Sequence, residues 1–107
     1  HKMAFRWPNK DPDETLDYSV DWSRFLGDKT ISSVAWFLRD ANGVMQEITA
    51  GQTLNNITIT STTNTDTVAT IYIAGGLNNV DYKFTCRVTN NLANTVERSI
   101  KIRMREQ

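Results

Sequence analysis

The sequence predicts an all-β protein, an antiparallel two-layer sandwich of about seven strands with an extended N-terminal arm. The first observation behind this is the stretch Val80–Val88, where apolar and polar residues alternate without a break. A strand sends successive side chains to opposite faces, so Val80, Tyr82, Phe84, Cys86 and Val88 are expected to face a core. Asp81, Lys83, Thr85 and Arg87 are expected to face water. The second is that turn-forming residues return at roughly 8–12-residue intervals along the chain, the spacing of short strands in a sandwich. The third is that no segment carries the 3.6-residue period of an amphipathic helix.

Residues 1–14 read as the arm and residues 15–107 as the sandwich. His1-Lys2 before Met3 read as a cloning remnant. In Ala4–Glu14, Pro8 and Pro12 remove backbone donors and push the preceding residues toward extended conformations. Phe5 and Trp7 are two large apolar side chains on such a segment. They suit an arm that anchors on a neighbouring subunit, because aromatic residues dominate interface hot spots. Leu16–Trp22 alternates with Leu16, Tyr18, Val20 and Trp22 on the dry side. Leu26-Gly27-Asp28 is a turn signal.

Ile31–Arg39 is the next strand, with Val34, Trp36 and Leu38 toward the core. Phe37 then points outward, or marks a bulge or a covered patch. Asn42-Gly43 supplies the positive φ of a tight hairpin, and Val44–Thr49 is its return strand. Leu54–Ser61 reads as one strand on Leu54, Ile57 and Ile59, with Thr58, Thr60, Thr62 and Thr63 on its wet side. Val68–Ala74 places Ala69, Ile71 and Ile73 inward and Tyr72 outward. Asn90–Asn94 closes a hairpin, and Thr95–Arg105 is the last strand. In it Val96, Ile100, Ile102 and Met104 are apolar, and Arg98 is expected at a bulge or near the open end.

The bulk numbers narrow the function classes. The chain has 107 residues, one domain's worth, with 39% hydrophobic and 22% charged residues. Twelve basic residues balance twelve acidic ones. That balance argues against a nucleic-acid binder that works by neutralising phosphates, and it suits a subunit that associates with copies or partners. No apolar run approaches the ~20 residues that span a bilayer. Cys86 is the only cysteine, so no intrachain disulfide is possible. It reads as a small core residue.

No chemistry-bearing motif emerges. The only histidine is His1, and the sequence has no zinc spacing, no phosphate loop and no Gly-x-Ser-x-Gly. The acidic set Asp11, Asp13, Glu14, Asp17 and Asp21 lacks the register of a calcium loop, and Asp17 and Asp21 are more simply the solvated face of a strand. No catalytic, cofactor-binding or metal-binding residue is expected, and no cofactor. The cationic strand Arg98–Arg105 reads as an edge guarded against stray pairing, or as a contact for an acidic partner such as the Asp11–Asp21 region of a neighbouring copy.

Three stretches together carry a resemblance. Lys10-Asp11-Pro12-Asp13-Glu14 runs through Leu16-Asp17-Tyr18-Ser19-Val20-Asp21-Trp22-Ser23 toward Gly27-Asp28, Ile31-Ser32-Ser33 and Trp36. Ala69–Gly76 and Tyr82-x-Phe84-Thr85-Cys86-Arg87-Val88-Thr89 follow, and the chain closes through Glu97-Arg98-Ser99-Ile100-Lys101-Ile102. Trp36 in an early strand with Tyr82, Phe84 and Cys86 in the penultimate one is similar to an immunoglobulin-like domain without its disulfide. The whole resembles tailed-phage and prophage fibre–tail adaptor or head–tail accessory proteins with an immunoglobulin-like fold. The family pattern usually has a polar or small residue where Phe37 stands.

The resemblance implies a non-enzymatic virion component present in several copies, made in the bacterial host cytoplasm. It would bridge tail or connector proteins and fibres in the tail or head–tail region, without nucleic-acid or membrane partners. The residues expected to meet partners are Phe5, Trp7, Pro8, Asp11, Pro12, Asp13, Phe37 and Tyr72. Tyr18 and Trp22 are further candidates that suit the core better. The alternatives are a carbohydrate- or host-surface-binding module and a capsid decoration protein.

Overall fold

A computed structural model describes residues 15–76 and 80–103. Eight strands and one helical turn follow in order: β1 (Thr15–Asp21), α1 (Ser23–Leu26), β2 (Ile31–Arg39), β3 (Met45–Ile48), β4 (Thr53–Leu54), β5 (Ile57–Asn64), β6 (Val68–Gly75), β7 (Asp81–Asn90) and β8 (Thr95–Arg103). They form two four-stranded sheets, ordered β1-β6-β5-β4 and β3-β2-β7-β8, with every strand pair antiparallel. The chain crosses from one sheet to the other three times. β1, β6 and β5 stand where an immunoglobulin sandwich has B, E and D, and β3, β2, β7 and β8 stand where it has C′, C, F and G. Trp36 lies on the C-like strand, the position of that fold's buried tryptophan.

The alternation read from the sequence decides which residues are dry. Tyr82, Phe84, Cys86 and Val88 are buried on β7, as are Trp36 and Leu38 on β2 and Ala69, Ile71 and Ile73 on β6. Tyr18 and Val20 of β1 and Trp22 just after it join this core, with Leu26, Ile48, Ile57, Ile59 and Ile102. Burying an aliphatic side chain of this size contributes about 1.5–3 kcal/mol, and these residues form one continuous cluster.

Four expectations need correcting. Leu54–Ser61 is not one strand. Asn55 and Asn56 both take positive φ, 53° and 68°, and turn the chain from β4 into β5. Asparagine tolerates that conformation, and two such residues make the tight hairpin turn. The three-residue step from Leu54 to Ile57, odd in a continuous strand, is the trace of that turn. Secondly, the turn at Leu26-Gly27 includes a short helix, α1, which drives Leu26 into the core at 1% exposure.

The third correction is Thr85, which is on the outward side of β7 but buried. Phe37 and Ser99 flank it in register, and its hydroxyl shares a 2.9 Å hydrogen bond with that of Ser99. The fourth is Arg98, which sits at no bulge. The β7–β8 register runs unbroken from Asp81↔Arg103 to Thr89↔Thr95, and Arg98 takes the inward parity opposite Cys86. It is on the sheet's outermost strand. Register shifts fall instead between Ile31 and Ser33 and between Ile59 and Ser61.

Side-chain oxygens fix the loops. Asn90 is buried, and its Oδ1 accepts from the N–H groups of Leu92 and Asn94 at 2.9 and 3.0 Å, closing the β7–β8 hairpin. Asp40 accepts from Gln46, Val44 and Asn42 in the β2–β3 hairpin. These bonds, that of Gln46 first, hold its carboxyl below the ordinary 3.8. Ser23 does the same for Asp21 at the start of α1, through its hydroxyl and then its N–H. A lowered carboxylate stabilises the fold above its ordinary pKa, and the contribution disappears as pH falls through the folded value.

Two substitutions test this account. Asn90→Ala leaves two N–H groups of a part-buried turn without their acceptor, and urea unfolding is expected to show a loss of about 1–3 kcal/mol. Gly75 has φ +84°, and a Cβ there would lie 2.7 Å from the Asn56 carbonyl oxygen. Gly75→Ala is expected to cost about 1–3 kcal/mol by the same measurement. A near-neutral result at either site would contradict the geometry.

Candidate protein–protein interface

The outer face of the β3-β2-β7-β8 sheet is built in rows that cross the strands. Phe37 is outward and half-buried, with Glu47, Thr85 and Ser99 in its row. One step along, Ala35, Arg87 and Glu97 are aligned. The Arg87 guanidinium carbon lies 4.5 Å from the centre of the Phe37 ring, and Arg87 Nε donates to Glu97 at 2.6 Å. Phe37 is therefore the covered patch that the sequence reading allowed for, with a cation on its face. It packs over Thr85, which explains how that threonine is dry. Two residues the other way, Lys83 and Lys101 stand directly opposite each other.

Tyr72 is outward and half-buried on the other sheet, opposite Asp17 on β1 and Ser61 on β5. The two described candidates, Phe37 and Tyr72, thus lie on opposite faces of the sandwich. Phe5, Trp7, Pro8, Asp11, Pro12 and Asp13 lie outside the described residues. Tyr18 and Trp22 are buried at 5% and 2% exposure and belong to the core.

An open groove of ≈ 440 Å³ lies at the junction of α1 and β8, lined by Trp22, Arg24, Phe25, Val96 and Arg98 among others. The Arg98 guanidinium sits 5.2 Å from the Trp22 ring centre, and Phe25 meets the same ring edge-on at 6.4 Å. Sequence reasoning missed Phe25 as a surface aromatic. Its signal was slight: one phenylalanine in a four-residue helix whose other apolar residue, Leu26, is buried. Arg98 was the clearer signal, a cation at an inward parity position.

These surfaces offer aromatic, cationic and hydroxyl groups rather than a reaction centre. Among the described residues, no three His, Cys, Asp or Glu side chains gather where they would hold a metal. No described helix is long and apolar enough to cross a membrane. Cys86 is 1% exposed, and burial pushes its thiol up to about 12, against smaller pulls from Trp22 and Arg98. A thiol so raised holds almost no thiolate at neutral pH.

The fold is that of an immunoglobulin-like domain. The chain belongs to the Gp77 family, whose model, described as the podophage GP4 fiber-tail adaptor protein gp77, matches residues 10–103. That family is one of phage structural adaptors. Among solved structures, the PKD domain from the KIAA 1837 protein aligns with a TM-score of 0.46 at 18% identity, over 94% of this chain and 83% of that one. At that distance the likeness is one of overall shape. No curated protein matches the chain.

Cys86 is expected to resist a thiol-specific reagent in the native protein and to react fully in denaturant. Fast native labelling would show that the inner face of β7 is open to solvent.

Proposed function

We propose that this chain is a non-enzymatic adaptor of a podophage particle, bridging tail or connector proteins and fibres through protein–protein contacts. The observation that carries the reading is the family match, which runs through residues 10–103 and so includes all eight described strands. The surface supports it. A half-buried aromatic with a cation on its face, Phe37 beneath Arg87, is the kind of group that anchors interfaces. The sandwich serves as the rigid body. The arm, residues 1–14, reaches a neighbouring subunit with Phe5 and Trp7 as anchors, Pro8 and Pro12 favour an extended course, and these prolines with Asp11 and Asp13 also meet the partner. The working location is the virion, with several copies in the assembled particle. The sugar-platform alternative is weakened at Phe37, because Arg87 occupies the ring face that a sugar would need.

Two measurements test this. Particles made without this protein are expected to have filled heads and to lack fibres, and cryo-electron microscopy of the wild-type particle is expected to place its density between tail and fibre. Density on the capsid lattice would favour a decoration protein instead. Trp7→Ala is expected to abolish association with the tail partner while leaving the circular dichroism spectrum and urea midpoint of the free protein unchanged. Association at wild-type strength would remove the arm from the account.

A further inference from the structure

The two outer faces of the sandwich carry opposite charge. No lysine or arginine occurs between Arg39 and Lys83 in the sequence, the interval that holds β4, β5 and β6, and none occurs in β1. The outer face of the β1-β6-β5-β4 sheet accordingly presents two carboxylates, Asp17 and, at its margin, Asp21, which already accepts from Ser23, among threonine and serine hydroxyls with Tyr72, and its strands supply no cation. The outer face of the other sheet presents five cations against three carboxylates. Two of those carboxylates are already engaged: Asp81 with Arg103 at 3.0 Å, and Glu97 with Arg87. That leaves Lys83 directly opposite Lys101, with Arg39 one residue past the last β2–β7 pair, Leu38↔Phe84, and donating to the Gly43 carbonyl. None of the three has an ion pair among the described residues.

Like charges directly across a strand pair destabilise a sheet. An edge guard explains a lysine on β8, the outermost strand, but Lys83 is on β7, which is paired on both sides and needs no guard. The row makes sense if carboxylates other than those of the same copy's described residues neutralise it.

We propose that the occupant of this face is the acidic face of a second copy of the chain. Copies stack face on face and head to tail, with the Lys83–Lys101 row of one over Asp17 and Asp21 of the next. Phe37 and Tyr72, which stand on opposite faces of one molecule, then both lie within the contact between two. The contact is heterologous, so repetition gives a ring if the rotation closes and a filament if it does not. With β3 of four residues and β4 of two, the sheets cover on the order of 400–500 Å² per face, below the standard size of specific interfaces. The stack is therefore weak in free solution and sensitive to salt. This inference rests on the adaptor reading only in placing several copies in one particle.

The test is the mass of the full chain by sedimentation, from micromolar to millimolar and at low and high ionic strength. Wild type is expected to associate with concentration at low salt and to dissociate at high salt. Lys83→Glu with Lys101→Glu makes both faces acidic, and Asp17→Lys with Ser19→Lys makes both cationic. Each double variant alone is expected to lose at least about tenfold in association constant, and an equimolar mixture of the two is expected to recover it. Circular dichroism and urea midpoints check that both variants fold. If the first double variant fails that check, Lys101→Glu alone, on the exposed edge, is expected to give a smaller loss in the same direction. A wild type that stays monomeric at millimolar concentration and low salt overturns the proposal. So does a mixture of the two variants that recovers nothing. A monomeric protein still found in particles overturns the stack and leaves the adaptor standing, whereas absence from particles overturns the adaptor whatever the mass in solution.

Discussion

The pairing of β2 with β7 holds the molecule together. Along this seam Trp36 lies beside Cys86, Leu38 beside Phe84 and Val34 beside Val88. Of these six, five are buried, and Val34 packs against them. Each strand has a neighbour on both sides, so the seam sets the register of its whole sheet. Antibody-type domains add an inter-sheet disulfide to such a core, a link worth about 2–4 kcal/mol. Here Cys86 has no partner cysteine, and Trp36 and Tyr82 are buried in the same cluster. One cost is visible: the ring N–H of Trp36 is buried with no hydrogen-bond acceptor among the described residues.

A core that is held by apolar burial alone frees the surface for other uses. All three ion pairs among the described residues are on exposed side chains, where such pairs contribute little to stability. The charges instead set up a difference between the two faces. A protein of zero net charge is thereby given a direction, and that direction suits a subunit whose work is to be placed among neighbours. The groove at α1 and β8 is a second, separate feature. It is formed where an inward-facing arginine meets an aromatic that closes the end of the core.

The strand pattern was largely legible. Ile31–Arg39 has the bounds expected of it, Ala69, Ile71 and Ile73 point inward, and Tyr72 points outward, because a period of two leaves little choice once one face is dry. The sequence misled where a local rule met a longer-range one. Asn55-Asn56 reads as polar strand residues until both adopt positive φ. Thr85 reads as wet because its parity is outward, and it is dry because Phe37 lies across it from a strand nearly fifty residues away in sequence. Arg98 reads as a parity error, yet it is in register, since a margin strand lets a long cationic side chain lie over Trp22 while its charge stays in water.

The candidate site was legible only in its members. Phe37 and Tyr72 could be picked out as outward aromatics from alternation alone, since parity is a property of the chain. That they stand on opposite faces could not, because the sheet a strand joins depends on which partners it finds. By itself the sequence determined the all-β class, the inward side of most strands, the absence of a disulfide and the balance of charge. Only the tertiary structure decided that Lys83 meets Lys101, that the cation-free strands β1, β4, β5 and β6 share one sheet, and that Arg87 caps Phe37. Those are contacts between strands distant in the chain, and cross-strand register, which no local pattern encodes, brings them together.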